Sequence, residues 1–161
     1  MKILQLLTYI ALFGSSVLAL PQTSGAHFFT ATSSVLGTGA LQVCFDEAGV
    51  GNGGPDGNVD YTLTADVSAL FGCINGGSNH PKASNKESFQ SVTTAGGSFQ
   101  PENGRVKACI TTEVPTESSF TCPPGQEVEL LTVSYTNVVL TDTTNSVSTS
   151  APNAAGVVFP I

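Results

Sequence analysis

After its first twenty residues this chain nowhere repeats apolar side chains at the 3.6-residue period of an amphipathic helix. Short runs of Val, Ile, Thr, Phe and Tyr instead alternate with clusters of Gly, Pro, Asn and Ser, which is the pattern of an all-β domain. The runs predict strands over 27–34, 40–46, 59–65, 69–74, 89–93, 104–113, 127–135 and 138–142. Short strands in this number bury their apolar faces by stacking two sheets, so the expected fold is an immunoglobulin-like two-sheet β-sandwich. Period-two alternation assigns the inward faces: Leu41, Val43 and Phe45; Tyr61 and Leu63; Val106, Ala108 and Ile110. The run over 127–135 is ambiguous, because Leu130 and Leu131 are adjacent; a central strand buried on both sides would explain them.

The first twenty residues have another logic. Lys2 supplies a positive start, 6–13 an apolar stretch, and Val17-Leu18-Ala19 a small-residue cleavage pattern. Residues 1–19 therefore read as a secretory signal peptide, leaving 20–161 as a single domain outside the cell. No later stretch is long and apolar enough to cross a bilayer, and 151–161 lacks the tail that precedes a lipid anchor, so no membrane anchor is expected.

Four cysteines, Cys44, Cys73, Cys109 and Cys122, remain in a chain bound for an oxidising compartment, and two disulfides follow. Three pairings are possible. Cys44 and Cys109 each lie on the more polar face of a strand, as a link between neighbouring strands requires, whereas Cys73 and Cys122 open the turn-rich stretches Asn75-Gly76-Gly77 and Pro123-Pro124-Gly125. The favoured pairs are Cys44 with Cys109 and Cys73 with Cys122. No two cysteines have the close spacing of a zinc ligand set, so no metal site is expected.

The whole chain carries a formal charge of −7, which argues against nucleic acid or anionic lipid as partners. Against this background one loop stands out, 75–87, which holds Asn79, His80, Lys82 and Lys86. These cationic and amide groups are candidate partner contacts. The apolar end, Val157-Val158-Phe159-Pro160-Ile161, offers Phe159 as a second candidate, either docked as a last strand or presented to a partner. Between them, 49–58 is a glycine-rich link between strands, and 141–152, rich in Thr, Ser and Asn, reads as a mobile linker.

Motifs for chemistry fail one by one. Only His27 and His80 are present, and no serine sits in a nucleophile elbow. His80, beside Ser78 and followed by Pro81, reads as a surface or turn residue. Asp56-Gly57-Asn58-Val59-Asp60 begins like a calcium loop, but Tyr61 stands where that loop needs glycine, so a turn into a strand explains it better. Gly49-Val50-Gly51-Asn52-Gly53-Gly54 lacks the lysine and the helix of a phosphate cradle. Two facing carboxylates could hydrolyse a glycoside, yet a one-dimensional sequence does not show which acids face each other, and no tryptophan is present to stack on a sugar. No catalytic residue and no cofactor are therefore assigned.

Three stretches together carry a resemblance: Cys44-Phe45-Asp46-Glu47-Ala48-Gly49-Val50-Gly51, the run from Cys73-Ile74-Asn75-Gly76-Gly77 through His80-Pro81-Lys82-Ala83-Ser84-Asn85-Lys86, and Cys122-Pro123-Pro124-Gly125-Gln126 with Val133-Ser134-Tyr135-Thr136-Asn137-Val138-Val139-Leu140-Thr141-Asp142-Thr143-Thr144. The chain resembles, over roughly 26–147, the necrosis-inducing secreted protein effector family of filamentous fungi. The resemblance implies a virulence effector that binds plant receptor-like kinases, suppresses pattern-triggered immune signalling and can induce host cell death. It implies no catalytic motif. The expected protein is then a non-enzymatic monomer, acting outside the plant cell or entering it. The alternatives are a binding or structural module of the fungal wall or surface, and an enzyme on wall carbohydrate.

Overall fold

A computed structural model describes residues 25–75 and 85–159. The predicted leader, and Asn79, His80 and Lys82 of the cationic loop, lie outside the described residues. Eight strands form in chain order: β1 (His27–Val35), β2 (Leu41–Ala48), β3 (Val59–Asn75), β4 (Lys86–Phe99), β5 (Arg105–Thr111), β6 (Gln126–Asp142), β7 (Val147–Ser150) and β8 (Ala154–Val157). They make two packed sheets, a three-stranded one in the order β1-β2-β5 and a five-stranded one in the order β4-β3-β6-β7, with β8 also paired to β6. All described pairings are antiparallel.

The alternation of β2 is followed residue by residue: Leu41, Val43 and Phe45 are buried, and Gln42, Cys44 and Asp46 are half-buried on the other face. Tyr61 and Leu63 of β3 and Val106 and Ile110 of β5 complete the facing surfaces, with Ala108 packed at the edge of the core. Both favoured disulfides are present. Cys44 and Cys109 stand directly opposite each other on β2 and β5, and Cys73 joins Cys122 across a sequence separation of 49.

Three expectations need correction. The runs 59–65 and 69–74 are one strand, since 66–68 pairs without interruption on both sides, and 127–135 and 138–142 are one strand, because the break read at 136–137 is a β-bulge. At the first bulge, Thr64 pairs with Val139 and Asp66 with Thr136, leaving an extra residue on β6; Asn137 there adopts φ 51° and its Nδ2 donates to Asp66 Oδ2 at 2.6 Å. At the second, Leu70 pairs with Thr132 and Phe71 with Leu130, so Leu131 is the extra residue. This bulge, rather than a strand buried on both faces, is why two adjacent leucines are both buried, for Thr132 and Ser134 beside them are half-exposed. Finally, the polar stretch 141–152 contains β7, which folds back on β6, with Thr141 and Ser148 hydroxyls bonded at 2.9 Å.

Candidate functional site

The sandwich has two chemically different ends. At one end β3 finishes at Asn75, β4 starts at Lys86, β6 starts at Gln126 and the chain leaves β8 toward Phe159. The Cys73–Cys122 bond holds this end together. Gly72 of β3 leaves an open space beside its neighbours: a Cβ there would come within 2.6 Å of Leu131 Cδ1 and 3.5 Å of Lys86 Cγ. Leu131 fills that space at 1% exposure, and its carbonyl accepts from the backbone N–H of Val158 at 2.8 Å and of Phe159 at 3.2 Å. The two described members of the predicted contact set, Lys86 and Phe159, both lie at this end, Lys86 on β4 beside Gly72 and Phe159 past β8 with its backbone N–H bonded to the Leu131 carbonyl. The choice left open for the tail is settled as far as Phe159: β8 and the two residues after it dock on β6. Inside this end Phe71, Phe89 and Phe120 pack edge to face at 5.7 and 6.3 Å.

At the opposite end, Glu47 of β2 and Asp142 of β6 are both fully buried, one from each sheet. Tyr61 Oη of β3 donates to Glu47 Oε2 at 2.8 Å, while Glu47 Oε1 is buried with no hydrogen-bond partner. Asp142 accepts from the Asn145 backbone N–H at 2.8 Å and from its side-chain amide at 2.7 Å. Protonation of Glu47 would turn the orphaned Oε1 into a donor. Burial pushes the Glu47 carboxyl up to about 7; the Tyr61 hydrogen bond and the His27 charge oppose this, and the Asp142 carboxylate adds to it. Burial and the Glu47 carboxylate together raise the Tyr61 phenol. Phe28, Phe45 and Phe99 surround Tyr61, with ring centroids 6.4, 4.6 and 5.9 Å away, and keep the pair dry.

This acid pair escaped the sequence reading, although a signal existed. Glu47 falls in the inward phase of Leu41, Val43 and Phe45, where a carboxylate is out of place. Chemically the pair can hold and release a proton, and sealed at zero exposure it meets no substrate in this conformation. Asp56, tested for calcium, closes a local turn: its carboxylate accepts from the backbone N–H of Asn58 at 3.2 Å and its side-chain amide at 3.3 Å. These bonds hold the Asp56 carboxyl below the usual range.

Two basic residues sit elsewhere, on the outer face of the small sheet. Arg105 grips Asp46 with two hydrogen bonds of 2.6 and 2.5 Å and lies 5.1 Å over the exposed Phe29 ring, while Lys107 approaches Asp46 at 3.5 Å. The Arg105 guanidinium lowers the Asp46 carboxyl. In comparisons with known proteins, no family model, no curated protein and no solved structure matches the chain.

Proposed function

We propose that this protein is a secreted effector that works by contact, binding plant receptor-like kinases and suppressing the immune signalling they start. The observation that carries this reading is that Lys86, which opens β4, and Phe159, which follows β8, lie at the same end of the sandwich, where the cationic stretch joins β3 to β4 in sequence. A cation and an aromatic carried at one covalently braced end are the ingredients of an interface anchor. The acidic remainder of the chain steers encounter and excludes wrong partners. Two disulfides and the leader sequence support the extracellular setting.

One observation favours a second reading, a wall or surface module: Ser68, Ser88, Thr132, Ser134 and Thr136 cluster on the outer face of the five-stranded sheet, a hydroxyl-rich surface suited to polysaccharide. Pull-down of the full secreted chain with plant receptor-like kinase ectodomains and kinase domains, beside insoluble fungal wall glucan and chitin, separates the two. The effector reading expects kinase capture, weakened about tenfold or more by Lys86→Glu with Phe159→Ala. It also expects immune suppression or cell death on transient expression in leaves, with or without the leader. Capture by glucan or chitin alone, with silent leaves, overturns it.

A further inference from the structure

β1 is an edge of the three-stranded sheet, and a bulge cuts its first two residues off from the rest. Phe28 pairs with Glu47 and Thr30 with Asp46, so Phe29 is the extra residue; its ring turns outward, 57% exposed, with Arg105 lying over it. Before the bulge, His27 and Phe28 pair with Ala48 and Glu47, and His27 Nδ1 donates to the Gly25 carbonyl at 2.5 Å. Gly25 lies so close on Gly49 that a Cβ at Gly49 would clash with that carbonyl. Among the described residues, 25–28 has no backbone hydrogen bond to any element but β2.

This lightly held piece covers the acid pair. Phe28 is half-buried and sets its ring edge-on to Phe45 and Tyr61, with centroids 6.0 and 6.4 Å away. The other strands around the pair are held more firmly. β2, β3 and β6 are each paired on both sides, and β4 brings Phe99 against Tyr61 from a ladder of fourteen residues in unbroken register.

We propose that 25–28 is a flap hinged at the Phe29 bulge, which lifts when Glu47 and Asp142 are both ionised and uncovers the aromatic cluster of Phe45, Tyr61 and Phe99. The geometry supplies the drive. The two carboxyls come from opposite sheets and are sealed from water, and Glu47 Oε1 has no donor to meet a negative charge. Lifting 25–28 admits water to that oxygen at the cost of two ladder pairs, whereas every other route parts a longer ladder. The titratable groups facing Glu47 are Tyr61 on β3, Asp142 on β6 and His27, whose charge favours the ionised carboxyl. β5 sets the uncharged Val106 opposite Glu47; Asp46, Arg105 and Lys107 lie on the outer face of the small sheet, and Asp60 on that of the large one. A carboxyl at about 7 beneath the closed flap and near 4.5 in water is protonated closed and ionised open across that interval. Opening therefore gains tenfold per pH unit, up to about 300-fold in all, and is level above about 7.

The test is amide hydrogen exchange of the full chain between pH 4.5 and 8, corrected for the intrinsic pH dependence of exchange and repeated in low urea. Protection at 27–28 and 47–48 should be lower than along 63–69 of β3, indifferent to low urea as a local opening is, and falling with pH by up to that factor. Glu47→Gln should abolish the fall, because the amide stays neutral under the flap at every pH. Protection at 27–28 and 47–48 that is level with pH overturns the proposal. So does protection there that equals that of β3 and shares its urea dependence, which would mean that these amides exchange only when the whole chain unfolds. A fall that persists in Glu47→Gln overturns it too, and if that variant does not fold, the pattern of the parent chain alone decides.

Discussion

Tyr61 and Tyr135 are buried to 2% and 0% exposure, and each donates one hydrogen bond of 2.8 Å, yet they sit in opposite kinds of structure. Tyr135 bonds the carbonyl of Gly39, a neutral acceptor in the turn beside the Leu130 and Val158 side chains, near the end braced by Cys73–Cys122. Tyr61 bonds Glu47, a carboxyl from the other sheet whose partner across the seam is a second acid. One end is held by bonds that do not respond to pH. The other holds a buried carboxyl that burial pushes up to about 7. The ends of β3 and β4 between which the cationic stretch lies in sequence are at the covalently braced end.

The largest expected effect removes the covalent brace. Replacing Cys73 and Cys122 with serine frees a loop closed across 49 residues, and in the chain-entropy picture costs about 4 kcal/mol. Urea denaturation of the full chain measures this. If the two ends differ as described, amide exchange rises first along the start of β6 and the end of β3, and leaves the region of Glu47 unchanged. Uniform loosening would erase the distinction between the ends.

Next in size is the proton. A carboxyl at about 7 in the folded chain and 4.5 unfolded binds more protons folded than unfolded across that interval, so stability falls as pH rises from about 4.5 to about 7 and is level above it. The loss totals on the order of 3 kcal/mol. Glu47→Gln reproduces the protonated form: one amide atom accepts from Tyr61 and the other donates toward Asp142. The variant should match the parent at pH 4, exceed it at pH 8, and show no slope between, as read by thermal melts across the range. A parent whose melting temperature is level from pH 4.5 to 7 removes the acid pair from the account of this end.

How far these ends were legible in the sequence differs in the same way. Alternation in Leu41, Val43 and Phe45 marks the core directly, because a strand with one wet face has no other way to place them. The Cys44–Cys109 disulfide followed from that phase, and Cys73–Cys122 from the turn-rich stretches both cysteines open. Three kinds of feature stayed hidden. The bulge at Asn137 looks like a strand end in one dimension, because an extra residue shifts the phase as a turn would, and the bulge at Leu131 looks like a strand buried on both faces. The acid pair joins Glu47 to Asp142, far apart in the chain, and only the stacking of the sheets brings them together. β7 was hidden for a third reason: Val147-Ser148-Thr149-Ser150 has little apolar signal, and its place comes from pairing with β6. Of the candidate residues, Lys86 and Phe159 stood out by charge and size, while Gly72 and Leu131, which pack against each other beside them, carry no local mark.

The smallest expected effects come from the two tyrosines, and they separate the ends most sharply because the chemical change is identical. Tyr135→Phe deletes the donor to Gly39 and leaves a buried carbonyl unmet, at about 1 kcal/mol, with the same loss at every pH from 4 to 8. Tyr61→Phe deletes the donor to Glu47, and that bond favours the charged carboxylate, so its removal drives the carboxyl still higher. The stability of Tyr61→Phe should therefore keep falling beyond pH 7, with its midpoint displaced upward relative to the parent, and the displacement should vanish in a Glu47→Gln background. Melts of both variants on one pH grid decide the matter: parallel curves would mean that the two phenols do the same work, and that the proton at Glu47 does not distinguish one end from the other.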